Sequence, residues 1–284
     1  MKLIRFGVFG EEKPGIILPT GEKRDISAFG EDFTGNFWET DGLNRLNKWL
    51  EVHLKDCPVV PENVRLGACV AQPSKIVCIG LNYANHAKEA GLGIPEEPIL
   101  FLKAPSALCG PNDDLILPKN ATKTDWEVEL ALVISRKASY IAESEVLDFI
   151  AGYTILNDYS ERSFQFERGG QWVKGKSNDR FAPLGPYLLT KEEAINPQNL
   201  PMWLRVNGEI KQQSTTKDMI FGICEIVSYV SQFMTLMPGD VISTGTPFGV
   251  GMGSKPPKYL QAGDVVELGI DGLGEQKQRV VAYE

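Results

Sequence analysis

Histidine occurs only twice, at His53 and His86. That scarcity excludes a zinc site built on several histidines and a His-Glu-x-x-His helix. A metal here must be held by oxygen ligands, which selects a hard cation such as Mg²⁺, Mn²⁺ or Ca²⁺. The five cysteines are odd in number, scattered and without a Cys-x-x-Cys pair, so reduced thiols are expected in place of a disulfide frame or structural zinc. No apolar run is long enough to span a bilayer, and MKLIRFGVFGEE lacks the apolar stretch of a secretory signal. A soluble, cytoplasmic protein is expected. Positive charge is also in short supply: the net charge is −8 and the pI near 5.1, which argues against nucleic acid or an anionic membrane as partner. The glycine-rich stretch VISTGTPFGVG lacks the Gly-Lys-Ser/Thr of a nucleotide P-loop and the glycine spacing of a dinucleotide fold.

What is present is a chain of 284 residues with 43% hydrophobic and 23% charged side chains, enough for one large core and a small appendage. Residues 1–70 carry strand-like runs (KLIRFGVF, GIILP) and a helical stretch, LNRLNKWLEVHL, before a proline-flanked boundary near residue 70. They are expected to form a small N-terminal α/β domain, with residues 71–284 as the main domain. Beyond it, IVCIG predicts a buried strand, NYANHAKEAG a short helix, AESEVLDFIAGY a second helix, and the apolar spacing from Ile223 to Met234 a third. Asn207-Gly208 and Asp271-Gly272 predict hairpins. Runs of strands with helices set aside indicate an α+β, mainly β fold.

KTDWEVEL, residues 123 to 130, sets Asp125, Glu127 and Glu129 at every second position with apolar residues between. On a strand that spacing predicts one acidic and one apolar face. A surface strand with one wet face accounts for it, and so does a face that holds a cation. TILNDYSERSFQ adds Asp158 just past an apolar run, a position suited to a turn or cap. With Glu127 and Glu129 it would make a three-oxygen site with room for water and a chelating substrate. Asp125 is expected behind that site or in solvent. His86 and Glu89, three apart on the candidate helix, suit an imidazole base oriented by a carboxylate, or simply an exposed polar face. Gly91, Gly93 and Pro95 follow as in a hinged flap. QWVKGKSNDRFAPLGP gathers Lys174, Lys176 and Arg180 in an irregular stretch, either solvated or facing an anion. VISTGTPFGVG is a strand entering a glycine-rich loop whose N–H groups and Thr246 hydroxyl suit an anion.

In order along the chain, GLNYANHAKE, DWEVEL, the later Asp158, KGKS and TGTPFGVG make it resemble the fumarylacetoacetate hydrolase family, from about Lys75 to Val281. The resemblance implies a mixed β-sandwich roll, usually a homodimer, with a small N-terminal domain. It implies Glu127, Glu129 and Asp158 as ligands of Mg²⁺ or Mn²⁺, with Ca²⁺ a non-native occupant. It implies His86 and Glu89 acting on a catalytic water, Lys176 as a catalytic lysine, and Arg162, Gln165 and Thr246 as substrate contacts. The implied activity is hydrolysis of a C–C bond in a 2,4-diketo acid, an acylpyruvate or a 2,4-diketo-3-deoxy sugar acid, releasing pyruvate from a small acidic oxo-acid substrate. ERGGQWVKGKS looks closest to the branch acting on 2,4-diketo-3-deoxy-rhamnonate or fuconate, while Asn178 and Arg180 imply a more polar distal pocket. Oxaloacetate decarboxylation, isomerisation of unsaturated diacids and ureidoglycolate lysis share this family's site, and a non-catalytic cation-binding protein could keep the fold.

Overall fold

The computed structural model describes residues 1–89, 91, 93–194 and 196–283. Its architecture follows from which strands carry apolar residues on both faces. Val128–Ile134 is buried at every position, and so is Ile150–Asn157. Both therefore lie in the interior of a sheet covered on each side. That sheet has ten strands. Across it run Lys23–Asp25, Lys13–Ile17, Lys2–Phe6, Ala182–Thr190, Ile150–Asn157, Val128–Ile134, Val241–Ser243, Ile76–Gly80 and Ile99–Lys103, with Leu108–Cys109 beside Ala182–Thr190. Most neighbours are antiparallel, but Val241–Ser243 runs parallel to Ile76–Gly80, so the sheet is mixed. The first strand of the chain pairs with Ala182–Thr190, which joins the N-terminal segment directly to the central sheet.

A second sheet of five strands, Glu209–Thr215, Pro201–Val206, Val265–Ile270, Gly274–Val281 and Leu115–Ile116, completes a mainly β sandwich. Asn207 and Gly208, both at positive φ, form the two-residue turn anticipated from their sequence. The hairpin around Asp271-Gly272 also forms. The layers are joined by buried amides as well as apolar contacts. Gln276 donates to the carbonyl oxygens of Ile155 (2.9 Å) and Gly185 (3.0 Å). Gln278 accepts from the Tyr159 hydroxyl at 2.9 Å. The helices Gly42–His53 and Ile223–Phe233 form where amphipathic spacing places them. No helix among the described residues is long and apolar enough to cross a membrane, and all five cysteines carry free thiols.

Two expectations are corrected. AESEVLDFIAGY is not an α-helix: Glu143–Phe149 is a 3₁₀ segment, and the chain turns at Ile150 into the central strand. Ile150, Ala151 and Tyr153 bury more completely in a sheet covered on both faces than on a one-sided helix, so tertiary packing overrides local periodicity. KTDWEVEL is not one strand with a wet face. Thr124–Asp125 pairs with Ser160–Glu161, the pairing breaks at Trp126, and a new strand begins at Val128. The proposed flap around Gly91 to Pro95 includes Ala90 and Leu92, which lie outside the described residues.

Candidate metal centre and active site

The antiparallel ladder between Ile150–Asn157 and Val128–Ile134 brings the acids together. Leu156 stands opposite Glu129 and Asn157 opposite Val128, so the next residue, Asp158, arrives beside Glu127. The Asp158 N–H donates to the Glu127 carbonyl at 2.9 Å. The Asn157 side chain accepts the Glu127 N–H at 3.1 Å. Ligand atoms of Glu127, Glu129 and Asp158 consequently lie within 4.8 Å of one another. Asp125, Glu127, Glu129 and Asp158 are all buried, so the face read as wet is closed.

Buried carboxylates need partners, and cations from three elements supply them. Lys176, on the turn Val173–Lys176, donates to Glu127 at 2.6 Å and Asp158 at 2.7 Å. Lys103, at the end of Ile99–Lys103, donates to the other Asp158 oxygen at 2.6 Å and to the Tyr159 carbonyl at 3.0 Å. Arg162, on Arg162–Phe166, donates to Glu127 (2.6 Å), Asp125 (2.9 Å) and Gln165 (3.1 Å). Among the described residues no lysine or arginine pairs directly with Glu129; Ser243 donates to it at 2.5 Å and the Gly245 N–H at 2.9 Å.

This asymmetry separates the two glutamates. Burial raises the Glu127 carboxyl, but Lys176, Arg162 and His86 outweigh burial and hold it well below the usual carboxylate range. Burial, then the charges of Asp158 and Glu127, push Glu129 well above that range. Burial opposes charge on Lys176, yet Asp158 and Glu127 reverse the balance and keep it a cation. Three clustered acids offering only oxygen, one of them short of positive charge, fit a hard divalent cation such as Mg²⁺ or Mn²⁺.

His86 and Glu89 lie on Ala84–Glu89. His86 Nδ1 faces a Glu89 oxygen at 3.4 Å, and the Glu89 carboxylate accepts the Gly249 N–H at 3.1 Å. Thr246 donates to the Val128 carbonyl at 2.9 Å and accepts from Gln212 at 2.8 Å. His86, Glu127, Glu129, Arg162, Gln165, Lys176 and Thr246 line one cavity of about 70 Å³. Asp158 reaches that group through Lys176, and Glu89 stands behind His86.

Several contributors escaped the sequence reading. Lys103 was hidden as the last residue of an apolar strand, although a lysine closing ILFLK is itself a signal of an internal ion pair. Gln212 crosses from the second sheet to accept the Val128 N–H at 3.0 Å, which no local pattern could reveal. Asp125, expected behind the site or in solvent, is fully buried behind it, holding Arg162 and accepting the N–H groups of Gly251 (2.6 Å) and Met252 (3.0 Å). Asn178 and Arg180 do not line the cavity. Asn178 donates to the Lys174 carbonyl and Arg180 to that of Asp114, so neither makes the distal pocket polar.

A Burkholderia cenocepacia (strain HI2424) protein provisionally named a hydrolase is 50% identical over 98% of each chain. The crystal structure of maleylpyruvate hydrolase from Sphingobium sp. SYK-6, in complex with manganese(II) and pyruvate, is 30% identical with TM-score 0.83 over all of both chains. That of 5-carboxymethyl-2-hydroxymuconate delta-isomerase from Mycobacterium smegmatis is 32% identical with TM-score 0.78, again over all of both. The family model described as fumarylacetoacetate (FAA) hydrolase C-terminal matches residues 75–281, the span that carries every acid, base and lysine of the cavity, and the chain belongs to the fumarylacetoacetate hydrolase family.

Proposed function

We propose that the protein is a Mg²⁺- or Mn²⁺-dependent hydrolase that cleaves the C3–C4 bond of a 2,4-diketo acid, releasing pyruvate and a carboxylic acid. The supporting observation is that an all-oxygen acid cluster, the His86–Glu89 pair and the Lys176 ammonium converge on one cavity. Glu127, Glu129 and Asp158 would hold the ion, which when bound would supply Lewis acidity towards the substrate's oxygens. The chain's own groups move the protons. With Nδ1–H donated to Glu89, His86 presents Nε2 to water and takes one proton as the water oxygen bonds to C4. The C3–C4 bond breaks with its electron pair passing to C3, and the proton on His86 returns there. Water is thereby divided between the acid (OH) and pyruvate (H). Lys176 places a fixed positive charge beside the charge that develops on the departing three-carbon fragment. Arg162, Gln165 and Thr246 border the same space and are assigned to the substrate's polar atoms.

The test is to incubate metal-stripped protein with acetylpyruvate, with and without Mn²⁺ or Mg²⁺, and to quantify pyruvate. Metal-dependent release is expected. No release from protein that binds the ion overturns the hydrolase reading. Likeness to the mycobacterial isomerase favours a second reading, in which His86 shifts a proton between carbons and no water is consumed. An unsaturated dicarboxylate consumed without pyruvate formation would establish it.

A further inference from the structure

We infer that the acyl part of the substrate ends in an apolar group, a methyl or short alkyl, and not in a second carboxylate or a hydroxymethyl, and that Trp172 is the side chain that enforces this. The inference rests on the hydrolase reading above for the chemistry, but on the cavity wall alone for the selectivity.

Apart from its charged groups, the polar side chains of His86, Gln165 and Thr246, and Gly80 and Leu81, the cavity is bounded by Ile79, Phe101, Phe166, Trp172 and Met252. The aromatic members are in contact and start at the reacting end. Lys176 Nζ lies 4.8 Å from the Phe101 ring centre. Phe101 and Trp172 meet edge to face at 5.3 Å, and Trp172 meets Phe166 at 6.0 Å. The backbone is shaped to seat the indole: a Cβ on Gly80 would fall 2.9 Å from its ring. The wall therefore leads away from Lys176 towards the half-exposed Phe166, along the direction a substrate anchored at the acids must extend.

Among the described residues lining the cavity, the lysine and arginine cations are already engaged. Arg162 is held by Asp125, Glu127 and Gln165, and Lys176 by Glu127 and Asp158. With Gln165 and Thr246 assigned to the polar atoms nearer the acids, a second carboxylate reaching the aromatic wall would lose water and gain no unengaged cation, and a terminal hydroxyl would suffer the same loss in smaller measure. The acyl parts of 2,4-diketo-3-deoxy-rhamnonate and fuconate end in methyl and satisfy the rule. A sugar acid ending in hydroxymethyl does not.

The experiment compares two ligands that differ only at C6, 2-oxohexanoate and 2-oxoadipate, by equilibrium binding to Mn²⁺-loaded protein. In parallel, pyruvate release is measured from butanoylpyruvate and succinylpyruvate, which differ in the same way at C7. The methyl-terminated member should bind, and be turned over, at least about 10-fold better, consistent with an apolar pocket refusing a polar end. Trp172→Phe should keep the ratio and Trp172→Ala should collapse it towards unity. Equal or tighter binding of 2-oxoadipate, or failure of 2-oxohexanoate to bind, overturns the inference. Preferential binding of 2-oxohexanoate without pyruvate from either diketo acid upholds the wall and overturns the hydrolase reading instead.

Discussion

Glu129 and Glu127 are two residues apart, yet their environments drive them in opposite directions: Lys176 and Arg162 pair directly with Glu127, whereas at Glu129 burial and the charges of Asp158 and Glu127 outweigh the more distant Lys176. Below its raised value Glu129 holds a proton that an incoming cation must displace. Metal affinity should therefore weaken as pH falls, and each Mn²⁺ bound should release about one proton. Calorimetric titration in two buffers of different ionisation heat measures this directly; a heat independent of buffer throughout the acidic range would refute it. Glu129→Gln should preserve the fold, since the acid is already driven towards neutrality, while abolishing Mn²⁺ binding and turnover. Glu127→Ala should also abolish both, but removing it leaves Lys176 and Arg162 under-compensated at a buried site, and a loss of about 3 kcal/mol in denaturant unfolding is expected. A variant that retains full activity in either case removes the metal assignment. His86→Ala should retain the ion and lose hydrolysis by about 10²-fold or more, as expected for loss of a general base; unchanged kcat would move the chemistry to a reaction that activates no water.

At the scale of elements, the glycine-rich loop after Val241–Ser243 connects the base to the acids. Gly249 donates to Glu89, the Gly249 carbonyl accepts from the Trp126 indole at 3.0 Å, and Gly251 and Met252 donate to Asp125. Gly249 has φ of +98°, and a Cβ there would sit 1.9 Å from the Lys211 carbonyl oxygen, so only glycine permits this approach. Asp125→Ala would strand the N–H groups of Trp126, Gly251 and Met252 and free Arg162. It should cost about 3 kcal/mol of stability and reduce kcat/KM for pyruvate release, with both measured against Asp125→Asn, which keeps the side chain's acceptor oxygen. An unchanged melting temperature and unchanged kcat/KM in Asp125→Ala would show that the loop is held by other means. The regular elements were legible wherever one period dominated, as in Gly42–His53 and the hairpin at Asn207-Gly208. They were illegible at Glu143–Phe149, where acids at helical spacing led into residues that a doubly covered sheet buries better.

The whole molecule shares one core. Leu3, Phe37 and Leu46 from the first 70 residues belong to the same buried cluster as Val77, Leu130 and Ile155 around the site. The intact chain should unfold in one cooperative transition that Mn²⁺ shifts upward. Deleting residues 1–70 should expose apolar surface and the edge of Ala182–Thr190, giving insoluble or molten protein; a truncated chain that unfolds cooperatively and still binds Mn²⁺ would refute this. The sequence by itself determined the kind of chemistry: two histidines and no cysteine pairs leave oxygen as the ligand for a metal, and Glu-x-Glu with a later aspartate, a His-x-x-Glu turn and a lysine in KGKS are local patterns whose residue types are visible without coordinates. Only the tertiary structure decided how those groups are balanced and what they exclude. Lys103, Gln212 and the Phe101–Trp172 wall act across dozens of residues of sequence separation. Burial, ion pairing and pocket shape depend on distances between elements, and strand register sets those distances.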